Sequence, residues 1–234
     1  AMAIVFAQKA LDINPENMHA IRAKMALLPE GYTFEQLKAF VTPELLKNPG
    51  IAMEVAHRIN RDLPAHRSTA ITLLEQLVDY FGEDRMETAE IKETLALALS
   101  GQAIASYLHV GNALTPEIES KLKRAIELYT EAWDYYKTTE LRDSKWHVPA
   151  NRGVSRKVLG DFSEAERDFH EYIYISPSSF AYQSLIKMKH QLHQSVHTII
   201  AEARSRVQLT VGEQDDLNTL EVGSLMAEKR PQEV

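Results

Sequence analysis

The sequence predicts an all-α protein, built as a stack of helical hairpins that pack side by side. Three observations predict it. Good helix formers (Ala, Leu, Glu, Lys, Gln and Met) are abundant along the whole chain. Helix starts and stops recur at short intervals from end to end. Only 9 Gly and 9 Pro occur in 234 residues, too few for the many tight turns of an all-β fold.

The elements follow in order. The first helix runs from the start of the chain to about Asp12 and stops at Asn14-Pro15, because proline disfavours helix in the residue before it. A second, about 17–28, ends at Pro29-Glu30-Gly31. Thr33 with Gln36 three residues later forms a capping box for a short helix. Thr42-Pro43 starts another, ending at Asn48-Pro49-Gly50. Helices at about 51–62 and 66–81 follow, the latter stopping at Gly82. A long helix at about 86–110 ends at Gly111-Asn112. Thr115-Pro116 opens the next, with Glu117 and Glu119 in the first turn where the helix dipole favours acids, and it continues to about Lys137. The later helices are about 147–159, 163–175, 179–193 and 195–209, with a break near Gln194. Residues 1–210 read as the repeat domain and 211–234 as a capping helix and tail. Leu217, Leu220 and Leu225-Met226 supply one apolar stripe there, ahead of the Lys229-Arg230-Pro231 end.

Composition narrows the function. The absence of cysteine removes disulfides, thiolate metal sites and thiol catalysis, and suggests a cytoplasmic home, with the periplasm equally compatible. No apolar run approaches the roughly 20 residues that span a bilayer, and no signal peptide pattern is visible. The net charge of −7 argues against nucleic acid and anionic membranes as partners. The chain opens directly in a helical pattern, without a cap or a methionine at position 1, which reads as a piece of a longer protein.

One stretch carries a repeat pattern. Gly153 stands in a first helix, Gly160-Asp161-Phe162 at a turn, Ala165 and Phe169 four apart in a second helix, and Pro177 at its end. This resembles the tetratricopeptide repeat (TPR), over residues 146–179. Pro149, Arg152 and Arg156 stand where that family prefers Trp, Leu and Tyr. Residues Ala3, Ala7, Ala10 and Pro15 match a second half-repeat, and Pro15 to Pro49 spans one 34-residue period. Ala70 and Ala125 open weaker matches, with drifting spacing. The resemblance implies an α-solenoid of irregular TPR-like hairpins, a right-handed superhelix with a concave groove. A single hairpin cannot bury its apolar face without a stacked neighbour.

The resemblance also implies groove residues: His147, Ala150, Asn151, Val154, Lys157 and Val158 from one helix, and Ala181, Ser184, Leu185 and Met188 from the next. Asn151 stands where peptide-binding members hold a ligand backbone with both amide groups. Ala181 and Leu185 replace the basic residues of the chaperone-binding clamp, so a chaperone C-terminus is not the implied ligand. A basic stripe, Arg142, Lys145, Arg152, Arg156 and Lys157, has two readings. It attracts acidic groups of a partner, or it salt-bridges to Glu164, Glu166 or Asp168 on the paired helix.

His190, His193 and His197 would share one face of a continuous helix, a weak metal candidate that the break near Gln194 divides. No nucleophile elbow, phosphate loop, zinc-protease motif or calcium loop occurs, and pairs such as Glu83/Asp84, Asp161/Glu164 and Asp215/Asp216 read as helix-start or loop charges. Trp133 reads as packing, Trp146 as packing or an interface anchor, and Tyr172, Tyr174 and Phe180 as contacts between repeats. The expected role is therefore non-enzymatic and cofactor-free, a module binding a protein or peptide in the groove, an acidic one if the basic stripe faces the partner. An accessory domain of a larger enzyme and a self-assembling homo-oligomer are the alternatives.

Overall fold

The computed structural model describes the chain except for residues 1, 15–16, 27, 29–30, 40, 44, 81–85 and 229–234. The sequence signals at Pro15, Pro29-Glu30, Gly82, Glu83/Asp84 and Lys229-Arg230-Pro231 lie outside the described residues. Among the described residues the chain forms twelve α-helices and no strand. It divides into two compact units, residues 1–135 and 136–234.

The first unit holds α1 (Met2–Ile13), α2 (Met18–Met25), α3 (Phe34–Lys38), α4 (Pro49–Asp62), α5 (Arg67–Tyr80), α6 (Met86–His109) and α7 (Pro116–Tyr136), which ends at the boundary. Helices adjacent in sequence pack on one another: α1 on α2, α4 on α5 and α5 on α6. Buried Tyr129 on α7 meets Ser100 on α6 with its hydroxyl 3.2 Å away, and Lys92 pairs with Glu131 at 2.8 Å. Local chemistry fixes the helix starts. The Thr33/Gln36 box forms as the sequence predicts. Asn17 accepts from the Ala20 amide at 3.0 Å, and Thr115 from the Ile118 amide at 3.3 Å. Each such cap is worth about 1 kcal/mol.

One boundary is reversed. The sequence reading begins a helix at Thr42-Pro43 and ends it at Asn48-Pro49-Gly50. Instead only a 3-10 turn forms, Leu45–Lys47, and Asn48-Pro49 opens α4. The Asn48 side chain accepts from the Gly50 and Ile51 amides at 3.1 and 3.3 Å, and Pro49 in the first turn has no N–H to satisfy. Pro49 is thus a helix start, so the 34-residue spacing does not end on a second helix stop.

The second unit holds α8 (His147–Leu159), α9 (Phe162–Ile175), α10 (Ser179–Gln191), α11 (His197–Arg206) and α12 (Val211–Glu228). Helices α8 and α9 form a tight hairpin. Gly160 closes α8 in the left-handed region (φ 84°), and the Asp161 amide reaches back to the Arg156 carbonyl at 3.0 Å. Gly153 lets the two helices approach closely: a Cβ there would lie 3.0 Å from the Phe169 ring and 3.1 Å from Asp168 Cβ. The core then runs through Phe169, Tyr172, Tyr182, Leu185, Ile200 and Leu217. Helix α10 stops where His193 turns left-handed (φ 54°) and the Gln194 amide bonds the Lys189 carbonyl, as the predicted break requires. Helix α12 packs against α10 and α11, with Leu217 buried and Gly223 seated against the His190 ring. Leu225 and Met226, read as part of its apolar stripe, are exposed.

Candidate functional site

The basic stripe is divided by a buried ion-pair network. Arg152 grips Asp168 with Nε and Nη2, at 3.0 and 2.7 Å from Oδ1, and Arg156 Nη1 donates to Oδ2 at 2.8 Å. Glu171 stands 3.6 Å from Arg152, and Glu164 3.7 Å from Arg156. The Asp168 side chain is only 2% exposed. Burial pushes its carboxyl above the usual carboxylate range, and the two guanidinium groups pull against that shift. Arg156 is therefore corrected as a partner-contact residue, because Asp168 and Glu164 engage its guanidinium inside the hairpin. Arg142 lies over the exposed Tyr174 ring at 5.6 Å, and Lys145 over the Tyr136 ring at 4.8 Å.

Two further groove residues are corrected. Ala181 and Met188 are fully buried in the core of the second unit, and so is Leu185. Helix α10 is packed by α9, α11 and α12, so these three positions face neighbours and not solvent. Ala150 is buried in the same core.

What remains accessible is a narrower face. Asn151, Val154 and Lys157 on α8 and Ser184 on α10 are each half-buried. Val154 rests against the core below, and His147 stands at the start of α8 edge-on to Trp146, 5.6 Å between rings. Asn151 shows no side-chain hydrogen bond among the described residues, and Lys157 no ion pair. Burial holds the Lys157 amine below the ordinary lysine range, and the nearby Lys187 cation adds to the effect. Lys187 is exposed, with a long 3.5 Å contact to Gln183 Oε1 as its one side-chain bond among the described residues. The sequence reading missed Lys187. Its signal was its place three residues after Ser184, on the same face of α10.

The aromatic residues sort by exposure. Trp133 and Tyr172 are buried, and Trp146 stacks on Tyr172 at 5.0 Å with nearly parallel rings. Tyr174 and Phe180 are exposed, which corrects Tyr174 as an inter-repeat contact.

The three histidines do not converge. His190 packs on Gly223, His193 sits exposed in the turn, and His197 Nδ1 lies 3.5 Å from Glu221 on α12. No group of three or more metal-ligating side chains is placed to hold an ion among the described residues. No helix among them is long and apolar enough to cross a membrane. The sequence matches no protein-family model and no curated protein.

Proposed function

We propose that the chain is a helical-repeat protein of tetratricopeptide type, whose second unit binds an acidic peptide segment of a partner protein. The repeat reading is supported by the α8–α9 hairpin, where Gly153, Gly160, Ala165 and Phe169 hold the positions the pattern requires. The binding reading rests on one observation. Lys157 is a half-buried cation with no ion pair among the described residues, and a second cation, Lys187, presses on it. Two like charges on one face of an acidic protein are unfavourable until an anion joins them. Asn151 stands one helical turn before Val154, with its carboxamide unengaged among the described residues, so it can bond a peptide backbone as donor and acceptor. Val154 offers apolar contact. Carboxylates of the ligand would meet Lys157 and Lys187, and that attraction mainly speeds encounter and sets salt dependence.

The test is fluorescence anisotropy with a labelled panel of Asp- and Glu-rich peptides, against the wild type and a Lys157→Glu/Lys187→Glu variant. The expected result is saturable, salt-sensitive binding of some acidic peptides, lowered about tenfold or more by the charge reversal. Binding that the reversal leaves unchanged, or no binding by any acidic peptide, overturns the assignment. An Asn151→Ala variant separates backbone recognition from charge, because it should weaken binding without altering the salt dependence.

A further inference from the structure

A cleft in the first unit has a different chemistry. It encloses about 510 Å³ between the start of α5, the last turns of α6 and the first turns of α7. Its polar wall is Arg67, Gln102, Ser106, His109 and Lys121, and its apolar wall includes Pro64, Val110 and Ile118. Among the described residues Glu117 is the one acid on the wall, and Lys121 already neutralises it at 2.6 Å.

Arg67 is the unusual member. Its guanidinium lies in the notch over Gly101, where a Cβ would meet Cζ at 3.2 Å and Nη1 at 3.4 Å. Glycine is the poorest residue after proline for a helix interior, and Gly101 stands in the middle of the longest helix. That position keeps open the space the guanidinium fills. No carboxylate repays the placement. Arg67 forms no ion pair among the described residues, and its Nε is buried without an acceptor. A buried donor left unbonded is costly, and a guanidinium is hard to strip of its proton. A cation seated by a helix glycine, unpaired inside the protein and lining a cleft with further donors, is arranged to meet a charge from outside.

We propose that this cleft binds a small oxyanion, a carboxylate or phosphate group on a short organic body, with Arg67 as the principal charge contact. The Ser106 hydroxyl, the Gln102 amide and the His109 ring supply neutral hydrogen bonds. Lys121 cancels the Glu117 carboxylate at the rim, and Pro64, Val110 and Ile118 accept the apolar part. The arginine fork suits either anion, so the probes distinguish the two.

The experiment is an NMR titration of the full chain with inorganic phosphate and, separately, with succinate. It follows the Arg67 Nε–Hε signal and the His109 ring signals. The Arg67 signal is identified by its loss in Arg67→Lys, and its burial slows exchange with water enough to keep it visible. The expected result is a saturable shift of both groups with one or both anions at millimolar concentrations or below. Arg67→Lys, which keeps the charge but loses the fork, should weaken binding at His109 about tenfold while the amide spectrum stays native. Gly101→Ala keeps every binding group and disturbs only the seat of Arg67, so it should also weaken binding. No saturable shift with either anion overturns the proposal, as does unchanged affinity in Arg67→Lys. Unchanged affinity in Gly101→Ala overturns the seating argument.

Discussion

Replacing Asp168 with alanine should unfold the second unit more readily than any change on its surface. The carboxylate is 2% exposed and takes hydrogen bonds from two guanidinium groups, themselves 8% and 15% exposed. Removing one partner of a buried ion pair typically costs about 3–5 kcal/mol, because the other charge stays buried without compensation. Here Glu171 and Glu164 remain at 3.6 and 3.7 Å from the two arginines, which sets the expected loss near the lower end, about 3 kcal/mol. In a unit of about 100 residues that lowers Tm by roughly 12–24 °C. The assay is chemical denaturation followed by tryptophan fluorescence. A Trp133→Phe background leaves Trp146 in the second unit as sole reporter. A cycle with Arg152→Ala should be strongly non-additive, since either change breaks the same pair. A triple replacement of Arg152, Arg156 and Asp168 by apolar residues should recover much of the loss. A cost for Asp168→Ala below about 1 kcal/mol, the range of exposed pairs, would refute the reasoning.

Three further outcomes are expected. Gly153→Ala should destabilise the second unit by about 1–3 kcal/mol despite alanine's better helix propensity, because the new methyl would lie 3.0 Å from the Phe169 ring; equilibrium unfolding measures it. Gly160→Ala should cost about 1 kcal/mol from backbone strain alone, since nothing lies within 4 Å of a Cβ there; a loss like that of Gly153→Ala would show a packing role instead. The thermal midpoint should fall as the pH drops below about 4. Hydrogen bonds from Arg61 and Tyr32 to Asp62, from Arg206 and Tyr182 to Glu202, and from Arg204 to Glu221 hold those carboxyls below their ordinary values. Through these three groups the unfolded chain binds more protons than the folded one, so acid favours unfolding; Asp168, shifted the other way, offsets part of it, and a midpoint flat from pH 6 to 2 would refute it.

Much of the architecture was legible because its signals are local. Thr33 with Gln36, Thr115-Pro116 and Gly160-Asp161 each satisfy the backbone of their own turn, and each lies where the sequence puts it. Asn48-Pro49-Gly50 was misread because asparagine and glycine can end a helix while asparagine and proline can also begin one. Only the preceding segment, too short to hold a full helix, decides between them. The site was less legible. Helical spacing tells which residues share a face, but not which neighbour covers it. Ala181 and Met188 lie on a helix packed by α9, α11 and α12, and both are buried in the core those helices share. The competition for Arg156 was visible as two readings, and the buried Asp168 across the hairpin decides it.

The strained ammonium on α8 has a consequence for covalent chemistry. A lysine held below its ordinary range carries a larger share of neutral amine, and the neutral amine is the nucleophile. Lys157 should therefore outcompete the exposed lysines for an acylating reagent offered sparingly near neutral pH, provided the reagent is small enough to enter a half-buried face. Lys187 alongside it is the source of part of that reactivity, so its removal should slow the labelling of a residue it never touches chemically. The pair would then serve as a built-in attachment point, through which a cross-linker could trap whatever acidic chain lies across the face.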